Sequence, residues 1–286
     1  MALSWPIVLA VLCGAMLHAG WNALVKSAGD KAMDTALLHA LGALVTAPLL
    51  WWTGLPGPAG WPFIAASVLI HVGYYSALVG AYQHGELGVT YPIMRGFAPL
   101  LVALVSGPLI GETPSAAAWL GIGGIACGVA LVGLAHPGQA LHHRKALLFA
   151  FANAAIIASY TLVDGHGARV SGHALAYVLL LFVLNGLPYP LIVWLRRGRS
   201  GRAQVLRHAR RRWPVAALGG LASAASYAIA LWAMTQAPVA SVAALRETSV
   251  LFGALLATWL LKERFGLQRA VGTGVIVAGV VALRLG

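Results

Sequence analysis

The stretch RGFAPLLVALVSGPLIGETPSAAAWLGIGGIACGV, residues 95–129, returns 151 positions later as RETSVLFGALLATWLLKERFGLQRAVGTGVIVAGV, residues 246–280. Eleven of the 35 positions are identical without a gap, where the product of compositions predicts roughly three or four. Arg95 falls on Arg246, Glu112 on Glu263, Gly121 on Gly272, Gly123 on Gly274 and Gly128 on Gly279. Charged residues are scarce in this chain, so their coincidence marks a duplicated unit rather than shared apolar composition.

Working outward, apolar runs recur from end to end. Of the 286 residues 60% are apolar and 9% charged, too few charges to cover a water-soluble protein of this size. Continuous apolar segments at 4–25, 34–53, 60–83, 88–110, 115–135, 145–164, 173–195, 213–236, 238–261 and 267–285 are each about long enough to cross a hydrocarbon core of ~30 Å as a helix. They lack the alternation of a membrane β-barrel strand. Gly54-Leu55-Pro56-Gly57-Pro58 and Pro137-Gly138 punctuate them as turns. The expected fold is therefore all-α and polytopic, with ten transmembrane helices in two five-helix repeats, 1–137 and 138–286. An odd number of helices per repeat inserts the copies upside down relative to each other, an arrangement used by secondary transporters.

The net charge of +12 is concentrated, with eight of the 19 Lys and Arg residues lying between Arg196 and Arg212. That stretch reads as a membrane-proximal basic loop, and without a recognition motif it gives no reason to expect nucleic acid as a partner. Connections after odd-numbered helices carry fifteen basic residues, against Arg169 and Arg284 on the other face. The positive-inside rule then puts the Arg-rich stretch in the cytoplasm and both termini outside it. Cys13 and Cys127 lie in apolar segments without ligand spacing, so neither a disulfide nor a metal is expected, and no cofactor. The first apolar run lacks a basic leader and reads as a retained helix.

HAGWNALVK at 18–26, YPIMRGFAPLLVALVSGPLIGE at 91–112, LRETSVLFGALLATWLLKE at 245–263 and the Gly-rich fifth and tenth helices resemble the ten-helix EamA-like members of the drug/metabolite transporter superfamily. The resemblance covers nearly the whole chain. It implies a transporter of small solutes in the cytoplasmic (inner) membrane of a bacterium, on a scaffold that serves many substrates. It also implies termini in the cytoplasm, the reverse of the charge count, which is the reading followed here.

Arg95 and Arg246 lie seven or eight residues into their helices, ~10–12 Å from the entry face. Intramembrane charge is a functional-site candidate by default. From inverted copies the two guanidinium groups could clamp a carboxylate or phosphate, and the resemblance adds that phosphate-ester exchangers of the superfamily use basic residues on the corresponding helices. Alternatively each arginine locks the bundle through carbonyls or neighbouring polar side chains.

Glu247 reads as the one carboxylate well inside a span, and its mate in the first copy is Gly96. It is the proton-coupling candidate, or else a structural counter-charge. His18, Trp21 and Asn22 share a face of the first helix, and Asn153 and Tyr160 stand on the sixth. They are expected either to line a polar cavity for substrate or to bond neighbouring helices, and Tyr75 and Tyr91 either to line that cavity or to stand as interfacial aromatics. His39 and His71 read as packed histidines, Trp51, Trp52 and Trp61 as interfacial aromatics, and Glu112 and Glu263 as capping groups. Pro92 and Pro99, and Pro188 and Pro190, should kink or loosen the fourth and seventh helices.

These residues favour a secondary transporter of a small polar or anionic metabolite, with proton exchange, over an integral membrane enzyme for acyl or phosphate transfer or a non-transporting scaffold. No nucleotide-binding Gly-Lys-Ser/Thr loop and no nucleophile with its base is present in the sequence.

Overall fold

The computed structural model describes residues 3–26, 30–84, 87–133, 144–261 and 266–285, with side chains excluded at 26, 75–76, 78–84, 87–91, 133, 257 and 259–261. Among the described residues there is helix and connection but no strand. In chain order the helices are α1 Trp5–Lys26, α2 Lys31–Thr46, α3 Leu50–Thr53, α4 Trp61–His84, α5 Leu87–Ile110, α6 Ala116–Gly133, α7 Arg144–Val170, α8 Ala174–Asn185, α9 Pro188–Gln236, α10 Val239–Arg246, α11 Ser249–Leu261 and α12 Leu267–Leu285. Helix underlies each of the apolar stretches read from the sequence. Among the described residues seven segments are long and apolar enough to cross a membrane, one of them Ala174–Gln236, which holds two of the expected stretches.

Local chemistry sets the ends. Asp30 caps α2 by accepting the Met33 N–H at 3.0 Å, and Ser115 accepts the Ala118 N–H at 3.1 Å where α6 begins. Gly111 closes α5 in the left-handed region with φ +71°. Trp51 and Trp52 of α3 are exposed.

The contacts exchange between the copies. The third helix of the first copy, α4, packs on the first helix of the second, α7, while α1 packs on the later part of α9, the third helix of the second copy. Likewise α5 lies against α7, and α1 against α10 and α11. Ser226 on α9 donates to the Gly14 carbonyl of α1 at 2.7 Å.

The fifth helices, α6 and α12, meet each other on glycine. A Cβ on Gly121 would sit 2.8 Å from the Gly279 carbonyl oxygen, and one on Gly279 the same distance from that of Gly121. A Cβ on Gly128 would sit 2.7 Å from the Gly272 oxygen. The pairing 121 with 279 and 128 with 272 runs antiparallel and joins repeat-mates crosswise, as a two-fold axis through the seam requires.

Two expectations are corrected. The Arg-rich stretch 196–212 is helical rather than a loop: α9 runs through it, interrupted at Gly198 with φ +60° and ψ −172°. Beyond Arg202 it is built mostly of Ala, Gln, Leu and Arg, good helix formers, with Val205 and His208 among them, and its inner face docks on the start of α2. There Asp34 accepts from Arg212 Nη2 at 2.6 Å and contacts His208, Arg197 bonds Asp30, and Val205 packs against Met33, Ala36 and Val193. The ninth apolar stretch, 238–261, is two helices instead of one, divided at Glu247 and Thr248, and the seventh, 173–195, likewise divides at Gly186 and Leu187.

Candidate functional site

The division between α10 and α11 lies where Arg95 of α5 crosses from the first copy to the second. Arg95 Nε stands 2.7 Å from Glu247 Oε2, an ion pair whose N–H is not aligned as a hydrogen bond. Arg95 is 8% exposed and Glu247 4%, so the pair is shielded from solvent and lipid alike. Arg95 Nη2 also approaches Ser249 Oγ and His18 Nε2, each at 3.5 Å. His18 in turn meets Trp21 edge to face, with centroids 5.1 Å apart. The indole Nε1 of Trp21 is buried and has no hydrogen-bond partner among the described residues.

Arg246 answers Arg95 from the other copy. It holds its guanidinium carbon 5.0 Å from the centroid of the Tyr227 ring, a cation–π contact. Among the described residues it forms no ion pair. Arg95, Arg246, Glu247, Tyr160 and Thr161 line one narrow cavity, whose apolar wall includes Pro99 and Ile157 and whose open interior is about 10 Å³. That is about the room a single water needs, so binding a solute there requires the cavity to widen.

Asp164 is a functional candidate that the sequence reading missed. The apolar stretch 145–164 placed it at a helix end, but α7 continues to Val170 and leaves Asp164 at 0% exposure. Glu247 is therefore not alone as an interior carboxylate. Asp164 accepts from the hydroxyls of Tyr177, at 2.9 Å, and Tyr227, so the ring beneath Arg246 is itself held by a buried acid. The signal that could have found it was the absence of a proline in the next six residues, Gly165 to Val170, so that nothing ends the helix at Asp164.

Asn22 and Asn153 fall elsewhere. Asn22 donates to the carbonyl of His18 within its own helix at 2.8 Å, and Asn153 donates to the Tyr74 carbonyl at 3.2 Å, joining α7 to α4. Neither contacts the Arg95–Glu247 pair in those bonds. Tyr160 reaches the cavity and stacks on His71 with centroids 4.5 Å apart. His71 and His39 bond carbonyls one turn back, each at 2.8 Å, in keeping with packed histidines. The side chains of Tyr75 and Tyr91 lie outside the described residues, as do Glu263, Pro137-Gly138 and the basic residues Lys262 and Arg264. Glu112 does cap: it accepts the Val239 N–H at the start of α10 at 2.8 Å and pairs with Arg169 at 2.6 Å. Arg169 then closes the end of α9 through the carbonyls of Met234 and Ala237.

Two packed copies of one helical unit, with a buried charged cluster where they meet, make up an all-helical protein whose segments are long and apolar enough to cross a membrane. The family model of the EamA-like transporter family matches residues 5–134 and again 144–285, and the chain belongs to that family. Its members are transporters within the drug/metabolite transporter superfamily. A solved crystal structure described only as that of a protein shares the fold, with a TM-score of 0.75 at 19% identity over 98% of this chain and 95% of its own. No curated protein matches the chain.

Proposed function

We propose that the chain is a secondary transporter that carries a small polar or anionic metabolite across the cytoplasmic membrane, with proton exchange, by alternating access between two inverted repeats of five crossing helices each. The observation that carries this reading is the Arg95–Glu247 pair. It bridges the two copies at a cavity that Arg246 shares, so a change in that contact is a change in how the copies meet. Glu247 occupies a place at Arg95 that a substrate oxyanion could take. A proton on Glu247 releases the guanidinium for substrate, and departure of the substrate returns it to the carboxylate. A second cation, Arg246, which forms no ion pair among the described residues, gives the oxyanion a partner from the opposite copy. Tyr160 and the Trp21 indole supply further hydrogen bonds.

The charge distribution supports an orientation with the basic part of α9 in the cytoplasm and both termini outside. A phosphatase fused after the last residue should be active and a fluorescent protein there dark; the converse pattern would reject this orientation.

The substrate test is a thermal-unfolding screen of the purified protein against amino acids, organic acids, phosphonates and phosphate esters, since a ligand of the folded state raises apparent stability. At least one anionic class should stabilise the wild type and fail to stabilise Arg246→Gln. In liposomes, Arg95→Gln and Arg246→Gln should abolish counterflow of that solute, and Glu247→Gln should uncouple it from pH. Counterflow that survives both arginine substitutions, or chemical turnover of the solute in detergent, would refute transport through this site.

A further inference from the structure

The basic part of α9 has two faces, and among the described residues the inner one carries its contacts to α2. Arg197, Val205, His208 and Arg212 turn toward Asp30, Asp34 and Met33. Arg199, Arg202, Arg207, Arg210 and Arg211 are exposed, and so are Leu206 and Trp213.

Helix length assigns these residues to depths. After Gly198 no non-helical residue interrupts α9 up to Gln236. At 1.5 Å per residue the apolar part, 213–236, rises ~36 Å, enough to cross a hydrocarbon core of ~30 Å. Trp213, 57% exposed, then stands at the boundary, where tryptophan is favoured. The next turns continue outward. Arg211 and Arg210 lie ~3–5 Å beyond Trp213 and Arg207 ~9 Å, matching a headgroup layer ~5–8 Å thick on each side. Arg202 and Arg199 lie ~17–21 Å beyond it, past that layer, and Arg202 is stacked over Trp194 at 5.2 Å. Residues 207, 210 and 211 are three and four apart, so they share one helix face.

We propose that Arg207, Arg210 and Arg211, with Trp213 below them, bind the headgroups of anionic phospholipids. Guanidinium forks fit phosphodiester oxygens two at a time, and the exposed Leu206 and Trp213 give acyl and glycerol carbons a surface that a nucleic acid would not use. Lipid held here touches the same helix that clamps Asp30 and Asp34, and α9 carries Tyr227 at its other end, beneath Arg246. The proposal does not depend on transport.

The experiment is electron spin resonance of spin-labelled phosphatidylglycerol and, separately, spin-labelled phosphatidylcholine around the full chain reconstituted in phosphatidylcholine bilayers. The expected result is a severalfold preference for phosphatidylglycerol that weakens with added salt. It should vanish in the triple variant R207Q/R210Q/R211Q and persist in R199Q/R202Q. All five are exposed side chains, and monodispersity with unchanged thermal unfolding confirms that each variant is folded. The proposal is overturned if the triple variant keeps the preference, if the distal pair abolishes it, or if the wild type shows none while the basic face retains a single-stranded RNA oligonucleotide instead.

Discussion

The two helices that carry the arginines began as copies and now solve the same problem differently. In the first copy, α5 stays helical from Leu87 to Ile110 although Pro92, Pro99 and Pro108 lie inside it. In the second, no proline lies between Val239 and Leu261, yet the helix divides just past Arg246. Glu247 and Thr248 turn there: the Thr248 hydroxyl donates to the Leu245 carbonyl at 2.7 Å, and the Val250 N–H bonds the Glu247 carbonyl at 3.0 Å, three residues back instead of four. The repeat-mates Gly96 and Phe97 keep the helix; Gly96 lies against α6, where a Cβ would come 3.2 Å from the Ala126 carbonyl. Duplication supplied two cations, and divergence supplied the counter-charge to one copy only. A discontinuous helix at the centre of a repeat interface is where transporters commonly place their sites, and here the discontinuity brings Glu247 to Arg95.

If that asymmetry is energetic, the two copies respond unequally to loss of charge. Glu247→Ala leaves the buried Arg95 guanidinium without its carboxylate and should cost about 3–5 kcal/mol, the usual penalty for stranding one member of a buried pair. Thermal unfolding should show it as the largest fall in midpoint of any single variant here, and Arg95→Gln combined with Glu247→Gln should recover most of the loss. Arg246→Gln removes a cation–π contact and should cost about 1 kcal/mol. Equal losses from Glu247→Ala and Arg246→Gln would show that the first copy's arginine gains nothing from its ion pair.

The glycine seam offers the opposite comparison, a place where the copies remained alike. Gly128→Ala puts a Cβ against the backbone of α12, 2.7 Å from the Gly272 oxygen and 2.9 Å from the Ile276 nitrogen. Backbone cannot step aside as a side-chain tip can, and the expected loss is about 1–3 kcal/mol. Gly123→Ala, five residues earlier on the same helix, meets nothing within 4 Å and should leave the unfolding midpoint unchanged or raise it. A loss at Gly123 as large as at Gly128 would contradict the seam.

What the sequence disclosed follows from this contrast. The repeat, the all-helical class and the family were legible because they rest on identity and apolar length, which are properties of the chain itself. So were Arg95, Arg246 and Glu247, since a charge in an apolar run has few destinations. Asp164 was hidden by a boundary: Gly165, His166, Gly167 and Arg169 lower the local hydropathy, and the span seemed to end where the helix goes on. Helicity of 196–212 was hidden by its charge, which suits a loop as well as it suits a helix docked on Asp30 and Asp34. The division of the ninth helix had no proline or glycine to announce it. Asn22 and Asn153 were drawn to the cavity by residue type, while the structure uses their amides on nearby carbonyls.

The smallest expected effect tests how Arg95 divides its contacts. Its Nη2 to Ser249 Oγ distance of 3.5 Å is at the outer limit for a hydrogen bond, and a typical one contributes a net ~0.5–1.5 kcal/mol even at good geometry. Glu247, at 2.7 Å and oppositely charged, should dominate. Ser249→Ala is therefore expected to lower stability by less than about 0.5 kcal/mol, a shift near the resolution of a thermal-unfolding comparison. Ser249 is the mate of Ala98, which lines the cavity in the first copy, so the substitution also makes the two helices more alike. A loss from Ser249→Ala rivalling that from Glu247→Ala would mean that the hydroxyl, and with it the start of α11, holds the guanidinium in place, and that divergence at 249 matters as much as divergence at 247.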